Sequence, residues 1–127
     1  VTGVTPDDLR GRIAAYVDAL NTRDPDAIAA LFAEDAVQAD PASDPPNRGR
    51  AAIAAFFEGS VAASDDWTFA AEAVHTCAAQ VAIDFRIDVE TGGSTMTISG
   101  IEVFTFDDDG LITSVYAYWD AADLTVT

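Results

Sequence analysis

The spacing of apolar positions changes period once along this chain, from helical to extended. Leu9, Ile13, Tyr16, Val17 and Leu20 recur at steps of four, three, one and three, which gathers them on one face of an α-helix. Thr5 precedes them as a cap, Pro6 takes the first helical position, and Asp7 and Asp8 sit where the helix dipole favours acids. A first helix is therefore expected from Pro6 to near Asn21. Asp24-Pro25 repeats the cap, and Ile28, Leu31 and Phe32 predict a short second helix ending near Ala33, so that the two form a hairpin. Val37 to Asp40 reads as a short strand. The stretch from Pro41 to Asn47 reads as a loop, because its three prolines forbid regular pairing. Arg50 to Ala62, with Ile53, Phe56, Phe57 and Val61 on one face, predicts a third helix.

After this helix the period becomes two. Ala79, Val81, Ile83, Phe85, Ile87 and Val89 alternate with Gln80, Ala82, Asp84, Arg86, Asp88 and Glu90, the pattern of a half-buried strand that Gly92-Gly93 then turns. Ser94 to Phe106 puts Met96, Ile98, Gly100, Glu102, Phe104 and Phe106 on one face. Asp107-Asp108-Asp109-Gly110 makes the next turn, Leu111 to Trp119 returns as the last long strand, and Trp67 to Thr76 supplies an earlier partner. Helices first and an antiparallel meander afterwards define an α+β domain, expected as a curved sheet wrapped around the helices.

At 127 residues the chain has room for one domain, here taken as residues 1–127, and its 50% apolar residues suffice for a core that can hold a pocket. A single cysteine, Cys77, excludes an internal disulfide, and with one histidine, His75, it cannot complete a Cys-based zinc site. Acids outnumber bases 22 to 6, a formal charge of −16 that repels nucleic acid and anionic membranes. All six bases are Arg, so Schiff-base and P-loop lysine chemistry are excluded. No apolar run reaches the length of a membrane span, and Val1 to Arg12 lack the basic-then-apolar order of a secretory leader, which leads us to expect a cytoplasmic protein.

Three residues stand out chemically. Glu102 falls among apolar neighbours, where a carboxylate must find a partner or stay neutral. A neutral acid can donate a hydrogen bond to a substrate oxygen on which charge develops. The plainer reading bulges the strand at Gly100 and turns Glu102 to water. Asp40 precedes Pro41 and reads either as an ordinary Asp-Pro turn or as a site carboxylate. Tyr16, within an apolar stripe, is ordinarily a core tyrosine whose hydroxyl finds a backbone acceptor.

Together these positions carry a resemblance. Tyr16-Val17-Asp18-Ala19-Leu20-Asn21, Asp24, Ile28, Leu31 to Ala36, Asp40-Pro41, Gly49-Arg50, Ile53 to Phe56, Ile101 to Asp107, Gly110 to Ile112 and Ala117-Tyr118-Trp119 resemble the bacterial Δ5-3-ketosteroid isomerases, over nearly the whole chain. The helical segment alone would fit the wider NTF2-like (cystatin-like) superfamily; Tyr16, Asp40 and the late acid narrow it. The resemblance implies an α+β cone of three N-terminal helices packed on a strongly curved, mainly antiparallel sheet, usually in a homodimer. It implies a cofactor-free, metal-free shift of a carbon–carbon double bond into conjugation with a steroid ketone. Asp40 would move the proton, while Tyr16 and protonated Glu102 would hydrogen-bond the dienolate oxygen. A neutral acid in that role is the family's known arrangement, so it is the resemblance that supplies it. Trp119 would steady Asp40, and Phe56, Phe57, Phe85, Phe104, Val115 and Trp119 are the candidate pocket walls. The family normally carries Asp where Glu102 stands, and some relatives carry Tyr at the positions of Phe32 and Phe57. The alternatives are another NTF2-like enzyme, such as a polyketide cyclase or an epoxide hydrolase, or a non-catalytic module that binds an apolar ligand.

Overall fold

The structure, a computed structural model, describes residues 4–127; Val1–Gly3, which open the segment read above for a leader, lie outside the described residues. Helix α1 spans Pro6–Thr22, where Thr5 Oγ1 accepts from Asp8 N–H at 3.1 Å and Asp8 Oδ2 accepts from Thr5 N–H at 3.0 Å. This reciprocal cap satisfies two otherwise free donors. Arg23 ends the helix in the left-handed conformation, φ 59°. Leu9, Ile13, Tyr16 and Leu20 form its buried face.

The second helix is shorter than the pattern predicts. Helix α2 covers Pro25–Ala29 only, capped by Asp24, and strand β1 already begins at Phe32 and runs to Ala39. Leu31 and Phe32 were read as helical; instead Phe32 pairs with Ile112, in parallel, and is fully buried. Burying an aromatic ring in the sheet outweighs the weak helical preference of five residues. A register shift between Phe32 and Val37 hides the strand's alternation from sequence. Strand β2, Asn47–Arg48, pairs with β1 and begins at the last residue of the expected loop, and helix α3 follows over Arg50–Ala62.

The long strands are β3 (Asp66–Cys77), β4 (Gln80–Thr91), β5 (Ser94–Phe106) and β6 (Ile112–Tyr118), with a closing β7 (Leu124–Val126) that pairs with β5. Their order is β2-β1-β6-β5-β4-β3. The resulting α+β fold has its helices packed on one face of the sheet, and this corrects the expectation of a strongly curved cone. The sheet is open, with β2 and β3 as free edges, and is neither strongly curved nor closed. The longest ladder, β4 with β5, runs from Gln80–Thr105 to Thr91–Ser94 without a shift, including at Gly100, whereas the β1–β6, β3–β4 and β5–β6 ladders each carry one.

Candidate active site

Three elements bring the acids of interest to one region. Asp40 follows the last residue of β1, where Ala39 pairs with Tyr116 of β6, and Ala42 N–H donates to the carbonyl of Ala117 at 2.6 Å. Glu102 lies mid-strand in β5, between Ile83 of β4 and the same Ala117. One residue of β6 thus anchors both the loop after Asp40 and the strand that carries Glu102. Tyr16 projects from α1 into a ring cluster, with centroids 5.0 Å from Phe104, 5.9 Å from Phe69 and 6.3 Å from Phe32, all edge to face.

The two acids have different surroundings. Asp40 is partly buried, and Trp119 Nε1 donates to its Oδ1 at 2.7 Å. Burial raises its pKa, the indole hydrogen bond pulls it back, and the charge of Asp44 raises it further. Glu102 is 4% exposed, and its buried Oε1 has no hydrogen-bond partner. Burial raises the Glu102 pKa well above the carboxylate range, and repulsion from Asp40 adds to the shift. Burial thus favours the neutral, protonated form of this acid over the carboxylate. Tyr16 is 2% exposed and is likewise held in its protonated, donating form by burial, then by the charges of Glu102 and Asp40.

A cavity of about 290 Å³ opens beside Asp40 and Trp119. Phe56, Phe57, Phe85 and Trp119, all singled out from sequence, line it; Phe104 and Val115 do not, being packed into the core at 0% and 2% exposure. Tyr16 and Glu102 are not on its wall either. Glu102 lies beyond Gly100 on the face of β5 from which Met96 and Ile98 reach the cavity. The lining residues missed from sequence include Ile87, Val89, Met96 and Ile98. The alternation that put Phe85 and Glu102 on inward faces places all four on those same faces, so the signal was present. A larger hollow, about 690 Å³, lies between α2 and α3 and is lined by Asp26, Glu34, Arg50 and small residues, away from the shifted groups. Among the described residues no group of three or more His, Cys, Asp or Glu gathers to hold a metal ion, and no helix is long and apolar enough to cross a membrane.

Gly100 lets the two sides of the site close. A Cβ there would lie 2.5 Å from the Tyr118 carbonyl oxygen, 3.0 Å from the Phe85 ring and 3.1 Å from Trp119 Cβ. The first contact is with backbone and cannot be relieved by a rotamer change. Gly100→Ala is expected to destabilise the fold by about 1–3 kcal/mol, as overpacking does. The shift of the urea midpoint measures it, and an unchanged midpoint would show that the end of β6 moves away freely.

Fold and site define an α+β domain with an apolar cavity, a half-buried acid at its rim and a fully buried acid and phenol behind it. Residues 13–115 match the SnoaL-like domain, and the chain belongs to that family. It is homologous to an enzyme, the steroid Delta-isomerase of Nocardioides simplex, with 39% identity over 120 residues, 94% of this chain and 96% of that protein. Among solved structures it is similar to the epoxide hydrolase/cyclase-like enzyme SalBIII of pyran ring formation in polyether salinomycin, with 25% identity and TM-score 0.87 over 95% of this chain and 97% of that one. It shares its fold with RV0760c from Mycobacterium tuberculosis, at 23% identity and TM-score 0.87 over 98% of this chain and 99% of that one.

Proposed function

We propose that this protein moves the double bond of 3-oxo-Δ5-steroids into conjugation with the ketone, through a dienolate intermediate. In this reading Asp40, ionised, takes a proton from the carbon between ketone and alkene and returns it two carbons further along. Tyr16 and neutral Glu102 donate hydrogen bonds to the oxygen that becomes an enolate. The pair of opposed carboxyl environments carries the proposal: one acid is steadied as an anion by an indole N–H, while the other is buried with an unpartnered oxygen. A base and an acid are needed at the same pH, and two such environments supply both. The apolar walls would hold the hydrocarbon rings and exclude water, which strengthens both donors.

The homologue's activity supports this substrate over that of the cyclase-like relative. An epoxide-hydrolase reading has less support, because Arg86 is exposed and pairs with Asp88 at 3.3 Å, outside the cavity. A cytoplasmic homodimer completes the proposal; exposed Ile101 and Tyr118, paired across β5 and β6, are apolar surface that a second copy would cover. Mixing the protein with 5-androstene-3,17-dione tests the activity. The absorbance of the conjugated enone is expected to rise at a rate proportional to protein concentration, and an unchanged spectrum would overturn the proposal.

A further inference from the structure

We infer that Trp67 decides by bulk alone which ligand skeletons the cavity admits, and that Arg23 is the positioning residue that holds its ring in place. The inference rests on the steroid reading for its ligand and deepens it: an alkyl extension at the end opposite the reacting ketone is disfavoured by this one side chain.

The ladders place Trp67. It pairs with Val89 of β4, which pairs with Met96 of β5, and all three line the cavity as one row across the sheet. Gly100 pairs with Phe85 beside Trp119, so this row lies four residues further along both strands, about 13 Å from the level of Trp119. A rigid fused-ring skeleton with its reacting end at Asp40 extends toward it. Trp67 is the largest side chain of the row and is 6% exposed.

The indole is held both at its edge and over its face. Its Nε1 donates to the Leu20 carbonyl at 2.7 Å, in the last turn of α1. That bond engages the only polar atom of the side chain, so the ring meets a ligand with hydrocarbon and selects by shape. The Arg23 guanidinium lies 4.6 Å from the ring centroid, within the range of a cation–π contact. Arg23 is itself fixed. Its Nη1 donates to Ser64 Oγ at 3.0 Å, and its Nη2 donates to the carbonyls of Val61 at 3.2 Å and Ser64 at 3.1 Å, at the end of α3. Asp66 Oδ1 lies 4.0 Å from its Nε. The backbone of Arg23, φ 59°, occupies the left-handed region that helix ends ordinarily give to glycine, so local strain is accepted to keep an arginine here.

A wall fixed in this way turns added bulk into a penalty. In a cavity that yields, each further buried methylene strengthens binding about fourfold. Against packed atoms that cannot move, the same carbons force displacement and the gain is lost.

Two conjugated ketones that do not turn over, 4-androsten-3-one and 4-pregnen-3-one, differ only by an ethyl group at that end. Quenching of intrinsic fluorescence reports binding in every variant, because Trp119 also lines the cavity. The wild-type protein is expected to bind the ethyl-bearing ketone about threefold more weakly. Trp67→Leu keeps an apolar wall but draws it back, and is expected to reverse the order, about three- to tenfold in favour of that ketone. Trp67→Phe replaces it if the leucine variant lacks the native circular dichroism. Arg23→Gly removes the guanidinium at a backbone conformation that glycine adopts without strain. It is expected to bring the two affinities within about twofold of each other and to shift the Trp67 emission. In the Trp67→Leu background the same change is expected to move the ratio by less than about twofold, whereas an arginine that only tied α1 to α3 would move it in both backgrounds.

Tighter binding of the ethyl-bearing ketone by the wild type, a ratio that survives substitution of Trp67, or failure of both ketones to bind would overturn the inference. A wild-type ratio in Arg23→Gly would remove Arg23 from it. Exclusion of the ethyl group without isomerisation of 5-androstene-3,17-dione would sink the proposed activity and leave the role of Trp67 standing. Isomerisation with a ratio indifferent to Trp67 would do the reverse.

Discussion

Asp40→Asn is expected to lower kcat for 5-androstene-3,17-dione by about 10²–10⁴-fold, the share a positioned general base contributes. The amide keeps the shape of the side chain and presents an oxygen to Trp119 Nε1, which now donates to Asp40 Oδ1 at 2.7 Å. Ligand affinity should therefore stay near the wild-type value while turnover is lost, because the apolar contacts are untouched. Single-turnover absorbance with a parallel fluorescence titration separates the two quantities. An Asp40→Asn variant that turned over at the parental rate would remove Asp40 from the mechanism. The acid limb of the wild-type pH–rate profile is expected to lie above the ordinary Asp range, because burial and Asp44 raise this pKa against the indole bond.

The second large effect belongs to Glu102. Glu102→Ala is expected to reduce kcat by about 10²–10³-fold, as loss of one oxyanion donor does, whereas Glu102→Gln retains a neutral N–H donor and most of the rate. Equal losses in both variants would show that the proton on Glu102 does more than donate. Stability supplies an independent readout. In the unfolded chain this carboxyl releases its proton near the ordinary pKa of about 4.3, whereas in the folded protein it holds the proton well above that. Between those two values the folded state binds more protons, so stability falls as pH rises from the unfolded value through the folded one, and then levels off. Glu102→Gln should flatten that decline, and urea midpoints at pH 5 and pH 8 for both proteins measure the difference. Asp40 contributes in the same direction, so the wild-type slope is expected to shrink but not vanish.

The part of this molecule governed by period two was legible in its sequence. Alternation located β4 and β5 to within a residue and assigned Phe85, Ile87, Met96, Ile98 and Glu102 to their inward faces. The caps at Thr5 and Asp24 started both early helices where expected. The junction at Leu31–Phe32 was not legible, because Phe32-Ala33-Glu34-Asp35-Ala36 shows neither period; long-range pairing with Ile112 decides its state. Sheet shape escaped for a related reason. Alternation says which face a residue takes, but not where ladders shift, and the shifts in the β1–β6, β3–β4 and β5–β6 ladders are set by pairing between segments. At the site, the candidate acids and the phenol could be singled out one by one. The convergence of the two acids' segments on Ala117 could not, since that rests on the register of β6 with both β1 and β5.

Strand β4 runs the length of the cavity, with Ile83 opposite Glu102 and then Phe85, Ile87, Val89 and Thr91 in turn on the wall. A slip of one residue in that strand would turn every one of these side chains outward and bring Asp84, Arg86 and Asp88 in their place. Ligand preference on this scaffold can therefore diverge by exchanging one side chain for another in situ, while insertions and deletions are confined to the loops at the strand ends.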